Sequence, residues 1–211
     1  MHRWLSLLLA IALTSSPGAF GDDAPAKKTV YDYSLVSMEG KVVPLANYKG
    51  KVLLIVNLAS QSQFASQIAA LNELEKTYAD KGLVVLGIPS ADFGAQELKD
   101  PAAVRKFYAE AAHAEFTVFA SATLTGVHAI PLYQFLCNPK VSLPGGDIHW
   151  SFTKFLINRD GQPVGRYEVA SDPADLDFHV TIESALAGKL KAPKPEAKSA
   201  EEGAARDDDD D

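Results

Sequence analysis

Two continuous aliphatic runs, at residues 52–59 and 83–90, constrain the fold of this chain more than any other feature. They read "VLLIVNLA" and "LVVLGIPS", and such runs are typical of strands that are buried on both faces. Between them, apolar residues recur three or four positions apart, and Gly82 follows where a helix would end. That apolar face consists of Phe64, Ile68, Leu71, Leu74 and Tyr78. This order predicts a βαβ unit with a parallel strand pair and a right-handed crossover.

Shorter elements are predicted on both sides of the βαβ unit. Short strands broken by turns precede it, with a hairpin tip at Glu39 and Gly40. A helix is expected to begin with Asp100 as its cap and Pro101 at its first position. A short strand, a short helix, a hairpin turning at residues 158–161 and a final amphipathic helix follow. The predicted fold class is therefore α/β: a central mixed β-sheet flanked by helices, in the order of the thioredoxin-like fold.

The two ends of the chain differ in composition from its centre. Residues 1–21 combine a positive start, an apolar run of about ten residues and small residues at a cleavage position, as signal peptides do. We therefore expect a secreted or periplasmic protein, with residues 22–28 as a linker and residues 29–188 as its single domain. Residues 189–211 mix charged residues with Ala and Pro and end in five aspartates, which predicts a disordered tail.

Charge and cysteine usage restrict the possible partners. The chain has 20 Lys and Arg against 27 Asp and Glu, which argues against nucleic acid and, after signal cleavage, against a membrane surface. Cys137 is the only cysteine, so no disulfide can form within one chain, and its apolar segment predicts a small buried side chain. The histidines lack paired metal-ligand spacing, so no metal site is predicted. They are His113, His128, His149 and His179, apart from His2 in the signal segment.

Several ordered segments resemble the glutathione peroxidase family. They lie at residues 40–60, 78–90, 92–97, 128–136 and 150–167, and "FGAQE" and "WSFTKFLI" are the most specific stretches. The resemblance implies reduction of hydrogen peroxide or organic hydroperoxides by a cysteine or selenocysteine. It implies no bound cofactor, with glutathione or thioredoxin as the thiol reductant that regenerates the enzyme.

The family's nucleophile lies in an Asn-x-Ala-Ser-x-Cys-Gly-x-Thr loop, and this chain matches only its first part. The matching residues are Asn57, Ala59 and Ser60. Ser62 occupies the Cys or selenocysteine position, Gln63 the Gly position and Ala65 the Thr position. We interpret Ser62 as the amino-terminal cap of the following helix.

Three further site positions follow from the resemblance. Trp150 matches the family's tryptophan, whereas Asp92 stands at the glutamine position and Ser151 at the asparagine position. A serine hydroxyl ionises far above the thiol value of about 8.5 and forms no sulfenic acid. A carboxylate at Asp92 would oppose a neighbouring anion. The sequence therefore predicts an impaired or inactive peroxidase. Several site positions differ from the family together, and this disfavours a single engineered Cys-to-Ser substitution as the origin of Ser62.

Three alternatives are considered for the function. The chain could reduce hydroperoxides through another thiol, Cys137, or it could be a pseudoenzyme that serves as a binding or scaffold module. A hydrolytic triad of Ser62, His149 and Asp92 has the right residue types, but no Gly-x-Ser-x-Gly motif accompanies it.

Overall fold

A computed structural model describes residues 28–142 and 144–192 of the chain. The predicted signal peptide, most of the linker and residues 193–211 of the predicted tail lie outside the described residues, so these predictions stay as they are. The strands are β1 (Ser34–Val36), β2 (Val42–Pro44), β3 (Val52–Leu58), β4 (Leu83–Pro89), β5 (Thr117–Val118), β6 (Lys154–Ile157) and β7 (Pro163–Tyr167). The α-helices are α1 (Gln67–Tyr78), α2 (Pro101–Lys106), α3 (Pro131–Leu136) and α4 (Leu176–Leu186).

Five strands form a mixed sheet in the order β5-β4-β3-β6-β7. β3 pairs in parallel with β4, from Val52 opposite Leu83 to Leu58 opposite Pro89, and β4 pairs in parallel with β5. β6 runs antiparallel to β3 and to β7. The predicted βαβ unit and the mixed sheet are therefore confirmed. The hairpin of β1 and β2 forms a separate two-stranded sheet.

A hydrophobic core covers each face of the five-stranded sheet. All seven residues of β3 are buried, because alternate side chains enter opposite cores. Leu53 and Ile55 belong to the core that contains α3, whereas Leu54 and Val56 belong to the core that contains α1 and α4. The central strand is thus fixed from both sides, and the segments that leave its carboxyl end start from a rigid position.

The sheet brings three separate segments to one edge. The turn after β3 and the loop after β4 leave the carboxyl ends of parallel neighbours. The residues that enter β6 lie at the same edge, because β6 is antiparallel to β3 and Val56 pairs with Lys154. The predicted site positions 62, 92, 150 and 151 all belong to these segments, and such an edge is where α/β proteins place ligand sites.

Two helix predictions need correction. α1 begins at Gln67 rather than directly after residue 62, because the preceding residues form a series of tight turns. In this series Ser62 N donates to Ala59 O, Ala65 N to Ser62 O and Gln67 N to Phe64 O. These bonds span three residues, so the regular α-helical spacing starts only at residue 67.

The helix after Asp100 also departs from the regular pattern. Asp100 caps it as predicted, since its carboxylate accepts from Ala103 N at 2.9 Å. From Phe107 to Ala111 the chain changes to a π-helix, and Ala112 N donates to Phe107 O. Tyr108 of this π-helical turn is buried, and its hydroxyl donates to the carboxylate of Glu97.

None of the helices in residues 28–142 and 144–192 is long and apolar enough to cross a membrane.

Candidate functional site

Ser62 and Ser151 meet at the site edge. The two hydroxyl oxygens lie 2.9 Å apart, and Ser62 and Ser151 are only 7% and 2% exposed. Phe64 N also donates to Ser62 Oγ at 3.2 Å. Ser62 therefore caps the tight turn that follows it, and not α1 as the sequence suggested. Its role as the replaced nucleophile stays a prediction.

Trp150 lies beside this pair, but its side chain points largely into solvent. The residue is 60% exposed, although an indole of this size usually packs against apolar neighbours. Its backbone is held instead: Trp150 O accepts from Asn57 Nδ2 at 2.9 Å and from Thr153 Oγ1 at 3.1 Å. The hydrogen bonds that fix Trp150 are thus those of its carbonyl.

Asp92 does not bond to the serine pair. Its Oδ2 atom accepts from Leu124 N at 2.6 Å, from Thr125 N at 3.0 Å and from Thr125 Oγ1 at 3.2 Å. These three donors satisfy one carboxylate oxygen and fix the loop at residues 124–125 against the end of β4. These contacts indicate that Asp92 stabilises the loop at residues 124–125.

The hydrolytic triad is not assembled. His149 is exposed, and among the described residues its ring makes no hydrogen bond to Ser62 or Asp92. A nucleophilic serine needs a base in hydrogen-bond contact. The hydroxyl of Ser62 contacts another alcohol instead, which cannot act as that base.

A buried carboxylate lies under the turn that carries Ser62. Glu97 accepts from Tyr108 OH at 2.6 Å, from Leu98 N at 2.8 Å and from Ser60 N at 3.2 Å, and it also bonds Ser60 Oγ. The turn is further tied down by Gln61 N, which donates to Gln96 O at 2.8 Å. Burial and the Glu97 charge both raise the pKa of Tyr108, so its hydroxyl remains a donor to Glu97.

Sequence reasoning assigned no site role to Glu97 or to Lys154. Glu97 lies in "FGAQE", one of the two most specific stretches of the resemblance, and this is the signal that could have pointed to it. Lys154 is fully buried at the start of β6, and its Nζ donates to Phe152 O at 2.9 Å. A lysine at the first position of a strand gives no sign of burial in the sequence, because lysines are almost always exposed.

Cys137 is a free, half-buried thiol at the end of α3. Burial raises its pKa, although the nearby charge of Arg166 lowers it in part. The raised pKa reduces the thiolate fraction at neutral pH, and the thiolate is the form that attacks peroxide. In the described ranges, 28–142 and 144–192, no group of three or more His, Cys, Asp or Glu side chains is arranged to hold a metal ion.

The sequence profile described as "Glutathione peroxidase" matches residues 30–137. The chain is 39% identical over 150 residues to "Glutathione peroxidase" of Lactococcus lactis subsp. cremoris, covering 71% of this chain and 96% of that protein. Among solved structures, "Crystal structure of Trgpx in apo form" superposes with a TM-score of 0.61 at 29% identity, covering 76% of this chain and 96% of that one.

A thioredoxin family protein of Chlorobium tepidum, a thiol:disulfide interchange protein, shares the fold. It superposes with a TM-score of 0.54 at 23% identity and covers 73% of this chain and 92% of its own. The predicted thioredoxin-like fold is therefore confirmed.

Proposed function

Because the chain belongs to the glutathione peroxidase family, we propose that it is an exported member whose hydroperoxide chemistry is impaired at residue 62. One observation carries this proposal: the Ser62 hydroxyl lies 2.9 Å from the Ser151 hydroxyl. The resemblance assigns these two residues to the family's reactive cysteine or selenocysteine position and to its asparagine position. The substrates of an active relative of this kind are a hydroperoxide and a thiol reductant such as glutathione or thioredoxin. No cofactor is required.

The chemical reason is the difference between oxygen and sulfur at this position. A thiolate attacks the peroxide oxygen and becomes a sulfenic acid, which a second thiol then reduces. A serine hydroxyl stays protonated at neutral pH and has no comparable oxidised form. Peroxide reduction at Ser62 would therefore fail at its first step.

The surroundings of Ser62 do not compensate for this difference. Its oxygen accepts from Phe64 N and shares a hydrogen bond with Ser151, so the hydroxyl is already engaged on both sides. Asp92 is occupied by the backbone at residues 124–125. Among the described residues, the hydrogen-bond partners of Ser62 Oγ are thus a second alcohol and a backbone amide, and neither can act as a base.

The exposed indole of Trp150 favours a second candidate function, that of a binding or scaffold module. The side chain is 60% exposed next to the inert serine pair. Exposed tryptophans are common anchors at binding surfaces, because they bury a large apolar area on contact. A pseudoenzyme of this kind would keep Trp150 as part of a binding surface after the loss of its peroxide chemistry.

The test installs the missing thiol. In a Cys137→Ala background, Ser62→Cys is compared with Ser34→Cys, a matched control that places a thiol on the exposed face of β1. Hydroperoxide consumption is measured with glutathione and with thioredoxin as reductant. We expect Ser62→Cys to exceed the control by at least about tenfold, because a thiol at a preorganised position reacts faster than an exposed one. Equal rates would refute residue 62 as the position of impairment.

Export is tested separately on the natural chain. Residues 1–21 carry the features of a signal peptide, so the mature protein should be found outside the cytoplasm with Asp22 as its first residue. Cell fractionation and intact-mass measurement give both quantities. A cytoplasmic protein that retains residues 1–21 would contradict this part of the proposal.

A further inference from the structure

Lys154 is a buried cation for which the proposed chemistry has no use. Its side chain is fully buried, and in the described part of the chain its ammonium forms no ion pair. Burial of an unpaired charge is costly, so such residues are rare in folded proteins. Within residues 28–142 and 144–192, the ammonium makes one hydrogen bond, from Nζ to Phe152 O at 2.9 Å.

Phe152 itself adopts an unusual backbone conformation. Its φ is +61°, in the left-handed region that a bulky side chain seldom enters, and the residue is fully buried. Such a conformation persists only where neighbouring groups hold it. Two bonds do so here: Lys154 Nζ donates to Phe152 O, and Phe152 N donates to Asn57 O at 2.7 Å.

The left-handed residue determines the direction of its neighbour. Ser151 directly precedes Phe152, and its hydroxyl lies 2.9 Å from Ser62 Oγ. A change to an extended conformation at Phe152 would redirect the chain before it and move this hydroxyl away. We propose that Lys154 is a positioning residue of the pocket: by holding the carbonyl of Phe152, its ammonium keeps the Ser151 hydroxyl against residue 62. This inference rests on the proposed assignment of residue 62 as the family's reactive position.

Two acidic residues of the segment that follows β7 act on the charge of Lys154. Burial lowers the pKa of Lys154 to about 8, and the charges of Asp172 and Glu168 oppose part of this shift. Glu168 is itself held by Thr153 Oγ1 at 3.1 Å and by Arg166 Nε at 2.8 Å. Lys154 is therefore charged at pH 7 and able to donate strongly to Phe152 O.

The first test uses a thiol as the reporter at residue 62. In a Ser62→Cys, Cys137→Ala chain, the pKa of the introduced thiol is measured by ultraviolet thiolate absorbance, with the Cys137→Ala chain as the thiol-free baseline. We expect Lys154→Met and Ser151→Ala each to raise this pKa by about one unit, because each removes the hydroxyl donor from the thiolate. If Lys154 acts through Ser151, the double variant should show no larger shift than the greater single shift.

A control and two contrary outcomes complete this test. Lys49→Met removes an exposed charge and should leave the pKa of the introduced thiol unchanged. An unchanged pKa in Lys154→Met, or fully additive shifts in the double variant, would overturn the positioning role. The pKa of the introduced thiol is measured without peroxide turnover, so failure of this inference can be told apart from failure of the proposed function.

A second measurement avoids any substitution in the core. In a Trp4→Phe chain, Trp150 is the only tryptophan and reports on the loop that Lys154 holds. We expect its fluorescence to change in a single transition near pH 8, as the ammonium loses its proton. A signal that stays constant through this range would overturn the proposal even if Lys154→Met did not fold.

Discussion

At the scale of single residues, the hydrogen bond between Ser62 and Ser151 joins the turn after β3 to the segment that enters β6. The two hydroxyls share one hydrogen bond at 2.9 Å, and Phe64 N donates a further one to Ser62 Oγ. The pair therefore contributes to the stability of the site edge, whereas a catalytic site often carries unsatisfied groups.

Ser151→Ala should destabilise the protein by about 1 kcal/mol, because it leaves the buried hydroxyl of Ser62 without its partner. The free energy of unfolding in urea measures this effect. Ser34→Ala removes an exposed hydroxyl in β1 and should change it by less than about 0.5 kcal/mol. If both variants are equally stable, the pair contributes nothing measurable.

Lys154 should give the stability a distinctive dependence on alkaline pH. Its pKa is about 8 in the folded protein and 10.5 in the unfolded chain, so between these values the unfolded state binds more protons. Stability contributed by Lys154 therefore rises as pH increases from 8 towards 10.5. From pH 7 to pH 9.5, this contribution should raise the free energy of unfolding of the natural chain by about 2 kcal/mol. Lys154→Met should lack this increase, which urea unfolding at both pH values measures. Parallel pH dependences in the two proteins would contradict a lowered pKa.

At the scale of secondary-structure elements, the sequence predicts best where one periodic pattern dominates. The aliphatic runs became β3 and β4, Asp100 caps α2, and the hairpin turns at the predicted residues. The late start of α1 was missed, because a helical spacing of apolar residues does not distinguish an α-helix from a series of tight turns. The π-helical end of the segment after α2 was missed for the same reason.

The candidate site was predicted less completely than the fold. The family resemblance implied that Ser62 and Ser151 belong to one site, but it could not give the orientation of Trp150 or the partners of Asp92. Both depend on contacts between segments far apart in the chain, such as Asn57 with Trp150 and Asp92 with Thr125. The burial of Lys154 likewise arises from packing between strands, which residue type alone does not reveal.

Gly87 of β4 should be intolerant of any side chain. A Cβ at this position would lie 2.6 Å from Leu58 Cδ1 and 2.9 Å from the ring of Phe116. We expect Gly87→Ala to reduce the free energy of unfolding by about 1 to 3 kcal/mol, because both neighbours are buried and must move. Gly40→Ala, at an open hairpin tip, measures instead the cost of a positive φ without steric contact. An unchanged free energy of unfolding in Gly87→Ala would contradict the close approach at Gly87.

Asp92 should act on the loop at residues 124–125. Asp92→Ala removes the oxygen that accepts from Leu124 N and Thr125 N, so these two amides should exchange with solvent about tenfold faster. Asp92→Asn keeps an acceptor oxygen and should give a smaller change. Hydrogen exchange by nuclear magnetic resonance measures both. Unchanged exchange rates of the Leu124 and Thr125 amides in Asp92→Ala would contradict a stabilising role of Asp92 in this loop.

At the scale of the whole molecule, three strands bring separate segments to one edge of the sheet, where the candidate site lies. The architecture is that of the glutathione peroxidase family and of thioredoxin-like proteins. Function depends on the groups that such a fold presents and not on the fold itself. Here the fold presents a pair of alcohols, an exposed indole and a carboxylate that braces a loop.

The consumption of hydroperoxide by the natural chain tests this account most directly. With hydrogen peroxide or an organic hydroperoxide, and with glutathione or thioredoxin as reductant, we expect no turnover above that of the reductant alone. The Cys137→Ala chain should behave identically, because the raised pKa of Cys137 keeps its thiol protonated. Thiol-dependent turnover by the natural chain would contradict the predicted lack of peroxidase activity, and its loss in Cys137→Ala would identify Cys137 as the reactive group.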